Sequence, residues 1–165
     1  MTTAAAQPLD APVNRDRRLR TTAIVISCLG LAIAIYLTYV HYAKLKPVCL
    51  SSGGCETVQS SAYAKLGGIP VPVLGLVGYV GILGSLVILR GELSRMTSFA
   101  LALIGFLFSG YLTYRELFTI KAICQWCVGS AVCMTLLVII TAIRAVRGEP
   151  VPDGAVGREP AAVAR

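Results

Sequence analysis

Four long apolar runs, at residues 22–42, 72–89, 97–118 and 124–143, constrain this chain more than any other feature. Each is close to the ~20 residues a helix needs to cross a bilayer, where every backbone polar group must be satisfied internally. They predict an all-α membrane protein, a four-transmembrane-helix bundle. At 165 residues and 56% hydrophobic, the chain is long enough for one domain and too apolar for an ordinary soluble one. The first run is longer than a signal peptide's apolar core, and no small-residue cleavage site follows it before Cys49. Residues 1–20 and 148–165 are polar and contain Pro and charge, so both are expected to be disordered cytoplasmic tails flanking a domain at 21–147.

A formal net charge of +7 raises the question of nucleic acid, but the distribution of charge answers it. With four spans and both termini on one side, ten of the fifteen basic residues fall there: Arg15, Arg17, Arg18, Arg20, Arg90, Arg95, Arg144, Arg147, Arg158 and Arg165. Lys44, Lys46, Lys65, Arg115 and Lys121 fall on the other. This is the positive-inside bias, which places both termini in the cytoplasm and leaves no need for a nucleic-acid partner.

The fourth run opens on Cys124-Gln125-Trp126-Cys127. A helix starting here offers its unpaired N–H groups and partial positive charge to a Cys124 thiolate. Cys127 shares a helix face with Cys124 but sits about 4.5 Å further along the axis. Cys49 and Cys55 lie in the loop after the first run, separated by five mostly small residues that let the two approach and part without forcing the backbone. In a four-span topology both cysteine pairs share one extracytoplasmic, oxidising face. Cys28 and Cys133 lie deep in the first and fourth runs and read as small hydrophobes.

A diverged repeat supports this arrangement. Tyr36-Leu37-Thr38-Tyr39 precedes Cys49 as Tyr111-Leu112-Thr113-Tyr114 precedes Cys124, and Lys46 and Lys121 keep the same offset. Spans one and two then correspond to spans three and four about an axis along the membrane normal. In the loop at 43–71, Val58, Ala62 and Leu66 have the spacing of a short amphipathic helix over 56–66, expected as a lid on the bundle. Gly67, Gly68, Pro70 and Pro72 end that helix and start span two. Gly75, Gly78, Gly81 and Gly84 on span two read as close helix packing, or as room for a flat ligand.

The chemistry of the four aqueous-end cysteines admits static disulfides, a zinc site or redox exchange. A disulfide within CxxC closes a tiny loop and adds little stability, which argues against a structural role for that pair. Zinc fits poorly with the five-residue spacing, the distance to His41 and an oxidising face, so no metal is expected. Redox exchange remains, with Cys49 or Cys55 meeting a soluble thiol protein and passing the reaction to Cys124 and then Cys127. From that deeper position the acceptor is a two-electron carrier resident in the bilayer, and a quinone fits. No glycine fingerprint for a flavin or nicotinamide is present, and no CxxCH for haem.

Loop cysteines before a Ser-rich segment, Gly-x-Pro entering span two and CxxC opening span four together resemble the vitamin K epoxide reductase family, specifically its bacterial disulfide-forming branch. The resemblance covers residues 21–147. The family of disulfide bond formation protein B carries its CxxC in the first external loop, the reverse of the order here. The resemblance implies roles residue by residue. Cys49 exchanges with a thioredoxin-like partner, Cys55 shuttles to Cys124, Cys127 adjoins the quinone, and Ser61 is the loop serine supporting the site. The Asn and Tyr that hydrogen-bond the quinone in animal enzymes fall at Val71 and Ala131, neither of which can donate. Epoxide reduction is therefore not supported, and a backbone group or Trp126 Nε1 is the remaining donor. Tyr36, Tyr39, Tyr111, Tyr114 and Trp126 are further lining candidates, some of them serving only as interface anchors. About twenty residues follow span four, too few for a fused thioredoxin-like domain, so the partner is expected to be a separate protein.

The sequence thus points to an inner (plasma) membrane thiol:quinone oxidoreductase acting through Cys49, Cys55, Cys124 and Cys127, with menaquinone or ubiquinone as acceptor and lipid as its surround. Two rivals stand beside it: a quinone or quinone-epoxide reductase, and a non-enzymatic scaffold with structural disulfides.

Overall fold

The computed structural model describes residues 11–49, 54–60, 65–66 and 68–147. Helix α1 spans Ala11–Tyr42, α2 Gly54–Ser60, α3 Val71–Val87, α4 Gly91–Arg115 and α5 Gln125–Val146, with a two-stranded hairpin (β1 Lys65–Leu66, β2 Ile69–Pro70) before α3. A π-helical turn, Glu116–Ile120, continues α4. Among the described residues, three helical segments are long and apolar enough to cross a membrane: Arg15–Tyr42, Gly91–Ile120 and Gln125–Val146. Helix α3 is equally apolar but has 17 residues, roughly 25 Å at 1.5 Å per residue against a hydrocarbon core of ~30 Å.

The apolar runs locate α1, α4 and α5 because a backbone among apolar side chains has no better way to satisfy its N–H and C=O groups. Three expectations change. The stretch preceding the first run is helical from Ala11 rather than an unstructured tail. Extending an existing helix costs little compared with nucleating one. Asp16 then pairs with Arg144 at 3.0 Å, which holds the extension against α5. The helix expected over 56–66 does not reach its predicted end: α2 is described from Gly54 to Ser60, and Leu66 lies in β1, paired with Ile69 across Gly68. Gly68 has a φ of 88°, the left-handed conformation that a tight reversal requires and glycine adopts without strain. Helix α3 ends at Val87, two residues before the apolar run does. Ser61 and Ala62 lie outside the described residues.

The helices pack around a core containing Ala23, Ala34, Tyr79, Ile82, Leu86, Ala102, Met134 and Leu137. Large apolar side chains elsewhere point outward, among them Val25, Leu29, Val80, Leu107, Val132 and Ile139. Such a surface is costly in water and normal against lipid. The tightest glycine contact is not on α3. Gly30 of α1 lies against the Tyr79 ring, leaving no space for a Cβ. Along α3 the nearest atoms to an added Cβ are 3.9 Å away at Gly75 and 3.5 Å at Gly81, and nothing lies within 4 Å of Gly78 or Gly84. These glycines therefore do not bring backbones into contact. Of the two core thiols, Cys133 packs against the buried cluster, whereas Cys28 is on the outer surface.

Candidate redox site

Cys124 is the residue that caps α5, just outside the helix, with φ −96° and ψ 111°. Its carbonyl accepts the N–H of Val128 at 3.0 Å, closing the first turn. The N–H groups of Trp126 and Cys127, in the first turn, and the Cys127 thiol all lie beside the Cys124 sulfur and favour its thiolate. The Cys124 thiol is held below its ordinary pKa. The Cys127 thiol is the largest cause, the two N–H groups add to it, and burial and the Glu116 carboxylate oppose it. The helix terminus anticipated from the sequence is thus in place. Cys124 is fully buried, while Cys127 is half-buried and lines a cavity.

Helix α2 packs against the turn that precedes Cys124. Gly54 approaches the Ile123 carbonyl so closely that an added Cβ would stand 2.5 Å from its oxygen. Each of these residues immediately precedes a cysteine, so the contact seats Cys55, itself buried, on the turn that delivers Cys124. Cys55 is disulfide-bonded to Cys49 across a Cα separation of 6.4 Å. Leu50 to Gly53, which join the two, lie outside the described residues.

Val48, the neighbour of Cys49, is clamped from both sides. Its N–H donates to Tyr36 Oη at 2.9 Å, and its carbonyl accepts from Trp126 Nε1 at 2.8 Å and from Gln125 Nε2 at 3.4 Å. The Trp126 and Tyr36 rings meet with centroids 4.8 Å apart. The two residues between the CxxC cysteines therefore hold the segment that carries Cys49. Trp126 Nε1 is engaged there, and Trp126 is not on the cavity wall.

Glu116 is the site residue that sequence reasoning missed. It is buried at the start of the π turn, its Oε2 accepts the Cys124 N–H at 3.3 Å, and its carboxylate lies beside the Cys127 thiol. The π turn ends at Lys121, in the left-handed conformation with φ 54°, and both its N–H and that of Ala122 return to the Glu116 carbonyl. This widened turn anchors Glu116 beneath the thiols. A lone carboxylate at the end of an apolar run was the available signal, and nothing local distinguished it from a solvated terminus.

The cavity has a volume of about 450 Å³ and lies between α1, α3, α4 and α5. Its wall is mostly apolar, with Cys127 and Glu116 on it, and Val71, Gly75 and Gly78 supply the α3 side. Residues at one constant sequence offset line it from two sides. Ile33, Ala34, Leu37 and His41 of α1 line it, and so do Phe108, Ser109, Leu112 and Glu116, which stand at the offset relating Tyr36 to Tyr111. Ala131 is not on the wall. Nor are Tyr36, Tyr39, Tyr111 and Tyr114; Tyr39, Tyr111 and Tyr114 are on the outer surface, where an aromatic ring anchors a membrane interface. Tyr79 and Phe108 are on the wall instead, and the Tyr79 hydroxyl donates to the Ser130 carbonyl at 3.1 Å and lies 3.0 Å from Ser130 Oγ.

Residues 21–142 match the sequence model of the Vitamin K epoxide reductase family. The chain belongs to the vitamin K epoxide reductase family. Membership makes it an oxidoreductase of the quinone-related thiol class. The structure holds a disulfide at Cys49–Cys55 and free thiols at Cys124 and Cys127.

Proposed function

We propose that this family member reoxidises a separate, extracytoplasmic thioredoxin-like protein and delivers two electrons to a membrane quinone. It does so from a four-span bundle in the inner (plasma) membrane, with both termini cytoplasmic and the cysteines on the far face. The observation that carries the reading is the placement of Cys127: one thiol adjoins both Cys124, under the seat of Cys55, and a mostly apolar cavity of ligand size.

In this scheme a partner thiolate attacks Cys49 and releases Cys55 as a thiolate. The partner's second thiol resolves the mixed disulfide, leaving the partner oxidised and Cys49 and Cys55 reduced. Cys55 then attacks Cys124 of a Cys124–Cys127 disulfide, and Cys127 leaves as the thiolate. Cys49 resolves the Cys55–Cys124 bond, which restores Cys49–Cys55 and leaves both electrons on Cys124 and Cys127. That distribution, loop pair oxidised and CxxC reduced, is the one in the structure. The low pKa of Cys124 suits it to leave from the mixed disulfide. A quinone held in the cavity supplies the two-electron, two-proton sink that returns the CxxC pair to a disulfide. Val71, Gly75 and Gly78 form the flat side against which its ring fits, and Glu116 is placed to take the Cys127 proton. Ser61 is retained from the family resemblance as a supporting loop serine.

The test is quinone reduction by the purified chain in detergent, with a reduced thioredoxin-like donor and a soluble quinone. Cys124→Ser and Cys127→Ser should abolish turnover with any thiol donor, and Cys49→Ser and Cys55→Ser with the protein donor alone. Wild-type turnover in all four variants would leave only structural disulfides. Turnover of quinone epoxide without oxidation of the protein donor would instead favour the epoxide-reductase reading.

A further inference from the structure

At the end of the bundle remote from the cysteines, the start of α1, the start of α4 and the end of α5 enclose a second pocket, of about 410 Å³. Its wall holds Arg20, Arg90, Arg95 and Arg144 against one carboxylate, Asp16. Positive-inside topology explains arginines at this end of the helices, but not arginines drawn out of solvent. Arg144 is 3% exposed and Arg95 8%. A guanidinium at that depth needs partners for its N–H groups, because an uncompensated buried charge is strongly destabilising.

The available partners do not suffice. Arg144 Nε donates to Asp16 Oδ1 at 3.0 Å, whereas Arg144 Nη1 is buried with no hydrogen-bond partner among the described residues. Arg95 Nη2 stands 4.0 Å from Asp16 Oδ2, an ion-pair distance beyond hydrogen bonding. Arg20 Nε is satisfied by the Leu86 carbonyl at 2.8 Å, which fixes its guanidinium at the pocket edge. The N-terminus of α4 also opens here. Arg90, its capping residue, gives no side-chain cap, so the helix adds its own partial positive charge to the pocket.

We propose that this pocket binds a phosphate-type anion, whose oxygens complete the hydrogen bonding of Arg144 and Arg95 alongside Asp16. Two sources share that chemistry: the headgroup of an anionic phospholipid in the adjoining leaflet, and free inorganic phosphate. Basic pockets between membrane helices commonly take the first.

The experiment measures the thermal midpoint of the purified full chain in detergent. Dioleoylphosphatidylglycerol, dioleoylphosphatidylcholine or sodium phosphate is titrated in, and bound lipid is counted by native mass spectrometry. The phosphatidylglycerol should bind about tenfold more tightly than the phosphatidylcholine, as expected for one charge-assisted bidentate contact. Arg144→Gln should remove that preference. Asp16→Asn supplies a control of opposite sign. It removes the carboxylate that competes for Arg144 and Arg95, so anion binding should tighten, whereas a site serving only as a structural ion pair would gain nothing. A response to the phosphatidylglycerol alone identifies a lipid site, and a response to phosphate as well identifies a soluble-anion site. The proposal is overturned if neither anion shifts the wild-type midpoint, or if Arg144→Gln and Asp16→Asn both bind as the wild type does.

Discussion

Replacing Gly54 by Ala isolates the contact that seats Cys55 on Cys124. The new Cβ would stand 2.5 Å from the Ile123 carbonyl oxygen, where ordinary contact begins at 3.4 Å. The obstructing atom is backbone, so α2 or the turn before Cys124 must withdraw by the difference, about 0.9 Å. Away from this contact the substitution would stabilise α2 by about 0.4–1 kcal/mol through the unfolded chain, so any loss of function is attributable to the lost seating. Displacing reacting groups by ~1 Å costs on the order of a hundredfold in rate, equivalent to ~2.7 kcal/mol of barrier. The assay uses a Cys49→Ser, Cys127→Ser background, in which Cys55 and Cys124 are the partners left to each other at the site. Formation of their disulfide under mild oxidation is followed by non-reducing mass spectrometry, with and without Gly54→Ala. A drop of about a hundredfold is expected. An equal rate in the two proteins would refute the reasoning, because the Gly54–Ile123 contact would then have no part in bringing the two sulfurs together.

Four other substitutions probe separate parts of the protein. Because the Cys124 thiol is held low, its alkylation by iodoacetamide should reach half-maximal rate below the ordinary thiol pKa of about 8.5. Glu116→Gln removes an opposing negative charge, so the midpoint should fall further; a rise or no change would contradict the assigned electrostatics. Trp126→Phe keeps an aromatic ring beside Tyr36 but loses the 2.8 Å bond to the Val48 carbonyl. That bond has a net worth of about 1 kcal/mol, so Val48 amide hydrogen exchange should accelerate roughly fivefold, and an unchanged rate would leave the clamp without energetic weight. Gly30→Ala should lower the thermal midpoint through about 1–3 kcal/mol of overpacking against Tyr79, whereas Gly78→Ala, with open space around it, should not. Equal midpoints for these two variants would show that the Gly30–Tyr79 contact relaxes freely.

Much of the machinery was legible in the chain. Apolar length alone located α1, α4 and α5, because a lipid-facing backbone has so few ways to satisfy itself. Cysteine spacing and a helix start together located the thiol at the N-terminus of α5 and the loop pair that faces it. The Glu116 and Tyr79 contacts were not legible, since a carboxylate at a helix end and a tyrosine in an apolar run each have an ordinary local explanation. The lid helix was over-extended for a related reason. Periodicity through Leu66 suited a helix, but the turn at Gly68 and the ladder to Ile69 offered the same backbone an alternative set of hydrogen bonds.

What the sequence determined by itself is everything decided by neighbours along the chain: which segments are apolar enough to enter a bilayer, where α5 begins, and which cysteines share a loop or a helix turn. Only the tertiary structure decided which distant groups meet. Trp126 and Val48 are 78 residues apart, and Asp16 and Arg144 are 128 apart. Local propensity carries no record of such pairs. They form because packing the helices against one another removes these groups from water together, and each polar group so buried must take whatever partner the packing brings.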